Sequence, residues 1–157
     1  MTLRPYRPSD LGEILELFYD TVHTVNAGDY TPEQMDAWAD GAPDREDWGR
    51  TLAEHTTLVA VEAGVIVGFG DIDASGYLDR LYVHKDFQHR GIASALCEVL
   101  EAAEEAECVA THASITARPF FEKRGYRVIR ERRVVRHGVS MTNYRMEKRP
   151  PAQNACY

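Results

Sequence analysis

The sequence predicts an α+β (mixed α/β) domain in which a mixed sheet of about six to seven strands is flanked by about four helices. Three observations point there. Apolar residues recur at helical spacing near the N-terminus and again after residue 91. Short alternating runs bounded by turn residues fill the middle and the C-terminal third. These two patterns do not alternate strictly, as a doubly wound parallel sheet would require.

The elements follow in order. Leu3–Arg7 reads as a short strand that Pro5 confines to an edge. Ser9 or Asp10 caps a helix whose Leu11, Ile14, Leu15, Phe18, Val22 and Val25 form one apolar face. Thr31-Pro-Glu-Gln opens a second helix, with Thr as cap, Pro at the first position and Gln34 three residues on. Pro43-Asp44 starts a short one that runs to about Ala53. TTLVAVEAGVIVGFGDID is a hairpin turning at Glu62-Ala63-Gly64, and Gly76–His84 is a further strand. Ile92, Ala95, Leu96, Val99, Leu100 and Ala103 line one side of the next helix, which ends in the acidic EAAEEAE. Cys108–Ser114 is a strand, and Thr116–Arg124 a short helix closed by Gly125. Tyr126–Val135 and Val139–Glu147 pair around His137-Gly138. Residues 1–148 are expected to form one domain, and RPPAQNACY, 149–157, a disordered tail.

Composition narrows function. The chain has 157 residues, 44% hydrophobic and 27% charged, which is ordinary for a globular domain with a real core. A net charge of −7 argues against a nucleic-acid binder. There is no signal peptide pattern and no apolar run long enough for a membrane span. Cys97, Cys108 and Cys156 show no metal-ligand spacing; no metal is expected, and a reduced, cytoplasmic setting fits.

FQHRGIASAL, 87–96, joins a strand to a helix. A helix N-terminus offers free N–H groups and partial positive charge, which suit an anion such as a phosphate. Gly91 lets the backbone approach a ligand, Ala93 keeps the first turn slim, and His89 and Arg90 add donors. Gln88 can donate across the loop. No GxxxxGK[ST] is present, and Gly68-Phe-Gly70 opens no helix, which excludes a nucleoside-triphosphate P-loop and a dinucleotide fold. A plain structural turn is the alternative.

Three ordered segments resemble the GNAT superfamily of N-acetyltransferases. Gln88-x-x-Gly91-x-Ala93 after Leu81-Tyr82-Val83 is similar to that family's Q/R-x-x-G-x-G/A motif. Thr116-Ala-Arg-Pro-Phe-Phe-Glu-Lys-Arg-Gly-Tyr126 is similar to its NARxFYEKxGF segment, and Gly138–Lys148 to its G…MxK ending. The resemblance spans Leu3 to about Lys148. It implies a twisted sheet splayed between two central parallel strands, here Gly76–His84 and Cys108–Ser114. It also implies acetyl-CoA as co-substrate, with its pyrophosphate on Gln88, His89, Arg90, Gly91, Ile92 and Ala93. The pantetheine arm would lie along the backbone of Leu81, Tyr82 and Val83, beside Thr116, which stands where Asn is common, and Phe120.

The implied reaction is acetyl transfer to a primary amine of a small molecule or peptide by direct attack. An alkyl amine with a pKa of about 10.4 is almost wholly protonated at neutral pH, so a base is useful. Asp79 is the first candidate, on the strand where many family members carry a carboxylate. Simple strand alternation groups Asp79 with Leu81 and Val83, and Arg80 with Tyr82. The alternative is a surface pair between Asp79 and Arg80; Asp71 and Asp73 are weaker rivals. Phe121 replaces the Tyr that usually protonates the leaving thiolate, which leaves Tyr77, Tyr82, Tyr126, Tyr144 or water. Tyr19, His23 and Asn26 form a second stripe on the first helix, and with Tyr30 and Trp38 they are candidates to line the acceptor pocket; a half-buried flank is the alternative. His112 reads as a packed histidine, and His55, His84 and His137 as surface or turn residues. A homodimer fits the resemblance. Other readings stay open: a catalytically weak or inactive acyl-CoA-sensing module, suggested by Phe121, or a protein-interaction partner that uses the first two helices.

Overall fold

A computed structural model describes residues 1–149. The tail expected at 149–157 therefore lies, from residue 150 on, outside the described residues. Seven strands form one sheet: β1 Thr2–Pro5, β2 Thr56–Glu62, β3 Val65–Ile72, β4 Tyr77–Val83, β5 Val109–Ser114, β6 Arg127–Arg136 and β7 Val139–Lys148. Their spatial order is β1-β2-β3-β4-β5-β7-β6. All neighbours are antiparallel except β4 and β5. Five α-helices accompany the sheet, against about four expected: α1 Leu11–Val25, α2 Pro32–Trp38, α3 Arg45–Glu54, α4 Ile92–Ala103 and α5 Arg118–Lys123. Among the described residues no helix is long and apolar enough to cross a membrane.

Local chemistry explains most boundaries. Thr31 caps α2 by accepting from the Gln34 N–H, and the Gln34 side chain accepts from the Thr31 N–H in return. Asp44 caps α3 by accepting from Asp47 N–H at 3.0 Å. The two hairpins turn at Ala63-Gly64 and His137-Gly138, all four residues having positive φ, the twist-compatible geometry for two-residue loops. The start of α1 differs from expectation, because neither Ser9 nor Asp10 caps it. A short 3-10 turn precedes the helix, and Asp10 instead accepts both guanidinium nitrogens of Arg4, at 2.8 and 2.9 Å.

The two faces of the sheet are buried separately. α4 and α5 cover one face, packing Ile92, Leu96, Leu100 and Phe121 against Leu58, Ala60, Leu78 and Met146. α1 and α3 cover the other through Ile14, Leu17 and Leu52 on Val59, Ile66 and Phe69. α2 extends that layer over the start of β7 through Met35, Ala37 and Met141.

The splay is visible in the register. β4 and β5 pair only at Tyr77↔Ala110 and Leu78↔Thr111, and then separate. Gly76 anchors the paired end. It accepts from Ala110 N–H at 3.0 Å, and its φ of +89° suits glycine alone. A Cβ there would lie 2.6 Å from both the Ala106 Cβ and the Cys108 carbonyl oxygen. Gly76→Ala is expected to destabilise the fold by about 2–4 kcal/mol through backbone strain and overpacking, read as a lowered denaturant midpoint.

Candidate active site

Strand β4 carries an irregularity that re-aims its side chains. Asp71 faces Arg80 across β3, but the next β3 residue, Ile72, faces Leu78, so Asp79 is an extra residue in the ladder. Simple alternation would put Leu78 and Leu81 on opposite faces; here both pack toward α4. Asp79 is thereby turned to the opposite face, where it lines a cavity with Arg80 and Tyr82. The grouping of Asp79 with Leu81 and Val83 is thus corrected: the bulge moves Asp79 out of the α4 core and into a polar cavity.

That cavity, about 630 Å³, lies between α1, α2, α3 and β4. Its walls mix aromatic rings, Phe18, Tyr19, Trp38, Trp48 and Tyr82, with charged side chains of both signs. Burial raises the Tyr82 pKa to about 12, opposed by the neighbouring Trp38 indole. Of the residues expected near an acceptor, Tyr19 and Trp38 line the cavity, whereas His23, Asn26 and Tyr30 are not among its lining residues. His23 Nε2 is 2.8 Å from the Ala39 carbonyl oxygen, with its ring stacked on Tyr19. Asn26 is buried where α1 passes into a 3-10 turn. Tyr30 bolts two strand ends together, donating to Thr142 O at 2.7 Å and accepting from Ile115 N–H at 2.9 Å.

Behind Asp79 lies a buried charge cluster. Asp71 is fully buried; its Oδ2 is 2.7 Å from His55 Nδ1 and accepts from Arg80 Nη1 at 2.8 Å. Burial raises the Asp71 pKa, opposed mainly by the Arg80 charge. Arg80 also donates to Thr51 Oγ1, stacks on Trp48 and lies 3.6 Å from Asp79. His55, Asp71 and Asp79 could together offer three metal ligands, but the Arg80 guanidinium already supplies the positive charge between the two carboxylates. His55 is therefore no simple surface residue. Asp73 is occupied in its own turn, accepting from Ser75 N–H and Oγ and from Tyr77 N–H.

The loop before α4 has the form of an anion cradle. His89 and Gly91 both have positive φ, 60° and 80°. Gly91 N-caps α4 with no side-chain hydrogen bond to the first N–H groups, so Ile92 and Ala93 present theirs outward. A Cβ on Gly91 would meet nothing within 4 Å, so the space above it is open. Gln88 does not point there. Its Nε2 donates to the Val83 carbonyl at 2.6 Å and ties the loop to the end of β4. Arg90 lies over the Phe87 ring at 4.8 Å.

The splayed edge is partly engaged. His84 N–H donates to Val67 on β3, so the alternating backbone of Leu81 and Val83 points the other way, toward the gap. Val83 O accepts from Gln88 and, at 3.3 Å, from the Thr21 hydroxyl. Across the gap Thr116 donates to Asp29 at 2.8 Å, and Phe120 packs beside Phe121. Phe121 is 4% exposed and meets Tyr126 edge to face, so its ring belongs to the core. Tyr126 donates to Glu101 at 2.6 Å. The Tyr144 ring lies under Arg118, and its hydroxyl makes no hydrogen bond among the described residues. Cys97 is buried, which raises its thiol pKa to about 12 and makes it a poor nucleophile.

His112 on β5 sits between Tyr77 and Arg132. Burial and then the positive charges of Arg132, Arg145 and Arg130 lower its pKa to about 4. The unfolded imidazole titrates near its ordinary value of 6.5. As pH falls from about 6.5 to about 4, the unfolded chain takes up a proton that the folded one refuses, so stability falls across this window. His112→Gln is expected to flatten that part of the stability–pH curve, measured by denaturant unfolding.

Comparison with known proteins agrees with this architecture. Residues 26–148 match the family model described as "Acetyltransferase (GNAT) domain". The uncharacterized N-acetyltransferase YafP of Escherichia coli (strain K12) is 34% identical over 148 residues, covering 94% of this chain and 95% of its own. A crystal structure of a GCN5-related N-acetyltransferase from Rhodopseudomonas palustris superposes with a TM-score of 0.89 at 34% identity, covering 95% of each chain. The PaiA N-acetyltransferase of Thermoplasma acidophilum, solved in complex with coenzyme A, shares the fold at a TM-score of 0.74 and 18% identity, over 96% of this chain and 100% of its own. With its sheet splayed after one short parallel pairing and its family match over most of its length, the chain belongs to the GNAT acetyltransferase family.

Proposed function

We propose that this protein is an N-acetyltransferase that moves acetyl from acetyl-CoA to the primary amine of a small molecule or peptide by direct attack. The observation that carries the proposal is the junction of three features on one strand. The gap between β4 and β5 opens after Leu78, the cradle of 88–93 follows the strand, and Asp79 faces the cavity walled by α1, α2 and α3. Binding of CoA by PaiA supports the assignment of the donor.

In this reading the pyrophosphate rests on the free N–H groups of Gly91, Ile92 and Ala93, with His89 and Arg90 at its rim. The pantetheine arm runs along the Leu81–Val83 edge. The acceptor enters the aromatic cavity and gives up a proton to Asp79, directly or through one water. Its nitrogen then attacks the thioester carbonyl. The oxyanion is held by the backbone N–H near Val83, and collapse of the intermediate expels the CoA thiolate. With Phe121 packed in the core and Tyr126 committed to Glu101, the thiolate takes its proton from Tyr144 or water; a thiol with a pKa of about 8.5 makes little demand on the donor. His23, Asn26 and Tyr30 act from outside the cavity, by fixing the helices and strand ends that form it.

The protein works in the cytoplasm in this reading. A homodimer would have Ile129 and Val135, exposed on edge strand β6, available to bury. The test is thiol release from acetyl-CoA against an amine library. Turnover with some amine is expected; tight CoA binding without turnover over the whole library would make the protein a sensor instead.

A further inference from the structure

The face of the sheet that carries Asp79 also carries an arginine cluster that the acetyl-transfer chemistry does not use. Val134 packs toward α2, so alternation along β6 puts Arg132 and Arg136 on that same face. Arg136 lines the Asp79 cavity. Arg132 reaches β5 and meets His112, and Arg145 on β7 lies opposite His112 in the register. A second cavity of about 590 Å³ opens here, lined by Tyr77, His112 and Arg145.

The hydrogen-bond directions at this spot follow from the groups themselves. A guanidinium only donates, so His112 Nε2 must accept from Arg132. The proton of the neutral ring is then on Nδ1, which donates to the Tyr77 oxygen 2.8 Å away. Tyr77 keeps its own O–H to donate elsewhere. The surroundings thus present donors: the Tyr77 hydroxyl and the remaining N–H groups of Arg132 and Arg145. The two carboxylates on the rim are already engaged. Glu147 accepts from Arg145 at 3.2 Å, and Asp73 holds the turn at Ser75 and Tyr77. Arg132 and Arg136 form no ion pair among the described residues. Arg145 is thus paired with Glu147, and in a chain of net charge −7 the two guanidiniums of Arg132 and Arg136 without a carboxylate partner among the described residues are a local exception.

We propose that Tyr77, Arg132 and Arg145 form an anion subsite next to Asp79, and that the acceptor is an amine that also carries a carboxylate or phosphate. The inference rests on the acetyltransferase reading of the Asp79 cavity. Asp79 is two residues from Tyr77 on β4, and Leu78 between them turns to the α4 face, so Tyr77 and Asp79 share the other face and one small molecule can span the two positions. The anionic group would dock on the donors while its amine reaches the carboxylate.

The experiment compares matched acceptors in the thiol-release assay: aminocarboxylates of increasing amine-to-carboxylate spacing, their neutral amides, and aminoalkyl phosphates. Wild-type protein should prefer an anionic member over its neutral partner by ~10-fold or more in kcat/KM. Tyr77→Phe and Arg145→Gln should each raise KM for the anionic acceptor several-fold while leaving KM for acetyl-CoA and for the neutral amide in place. Whether carboxylates or phosphates lead the series identifies the anion. Equal use of amides and acids, or variants that shift both alike, would overturn the subsite. A binding arm stands apart from turnover: acetate or inorganic phosphate titrated into wild-type protein should shift the His112 imidazole resonances, and Tyr77→Phe should weaken that response. If no amine releases thiol, the acetyltransferase reading fails, and the titration alone decides the anion site. An unmoved His112 spectrum with both anions counts against it.

Discussion

Gly91→Glu is expected to lower coenzyme A affinity by at least ~100-fold, about 3 kcal/mol, while the fold survives. Two effects act together. The space above Gly91 is open, so a glutamate side chain projects where the pyrophosphate is proposed to lie and meets it with like charge. Gly91 also has φ +80°, where any side chain adds strain of about 1–2 kcal/mol. Gly91→Ala separates the two, since it carries the strain without the charge and should keep most of the affinity. Calorimetry with coenzyme A reads both variants. Equal affinity for Gly91→Glu and the native chain would remove the loop as the phosphate site.

Asp79→Asn should lower kcat by roughly 10²- to 10⁴-fold, the ordinary worth of a positioned base, with little change in KM for acetyl-CoA. The loss should be greatest below the acceptor pKa, about 10.4 for an alkyl amine, where a proton must be removed before attack. It should shrink as pH approaches that value. Asparagine keeps the shape beside Arg80, so the Asp71–Arg80–His55 cluster should stay in place. A pH–rate profile that keeps its native shape and height would exclude Asp79 as the base.

Much of this architecture could be read along the chain because it is written in local terms. Capping at Thr31 and Asp44, positive-φ turns at Ala63-Gly64 and His137-Gly138, and the apolar faces of α1 and α4 are set by residues within one or two turns of each other. The cradle at 88–93 was legible for the same reason: a glycine N-cap and its flanking donors are contiguous. The splay itself came from resemblance, since nothing within β4 or β5 alone says how far they stay paired.

The acceptor side was far less legible. Tyr19, His23 and Asn26 share a helix stripe, yet only Tyr19 reaches the cavity, because His23 turns to the Ala39 carbonyl and Asn26 is buried at the helix end. Tyr30 is a further candidate beside that stripe but spends its hydroxyl on Thr142 and Ile115, both more than 80 residues away. Trp48 and Arg136 entered the cavity from elements that no periodicity connects. His55 looked like a turn residue until β3 brought Asp71 beside it.

Asp79 shows the division most sharply. Its residue type and strand could be read in YLDRLYV, but its face could not. Alternation is a rule for a regular ladder, and the ladder here carries one extra residue, which depends on how β3 and β4 register against each other. Caps, turns and amphipathic faces are decided over a few neighbouring residues and so are present in the sequence. Which carboxylate faces the cavity, which histidine meets a buried aspartate, and where three arginines gather are decided by pairing between distant strands, where one shift in register turns a side chain from one face of the sheet to the other.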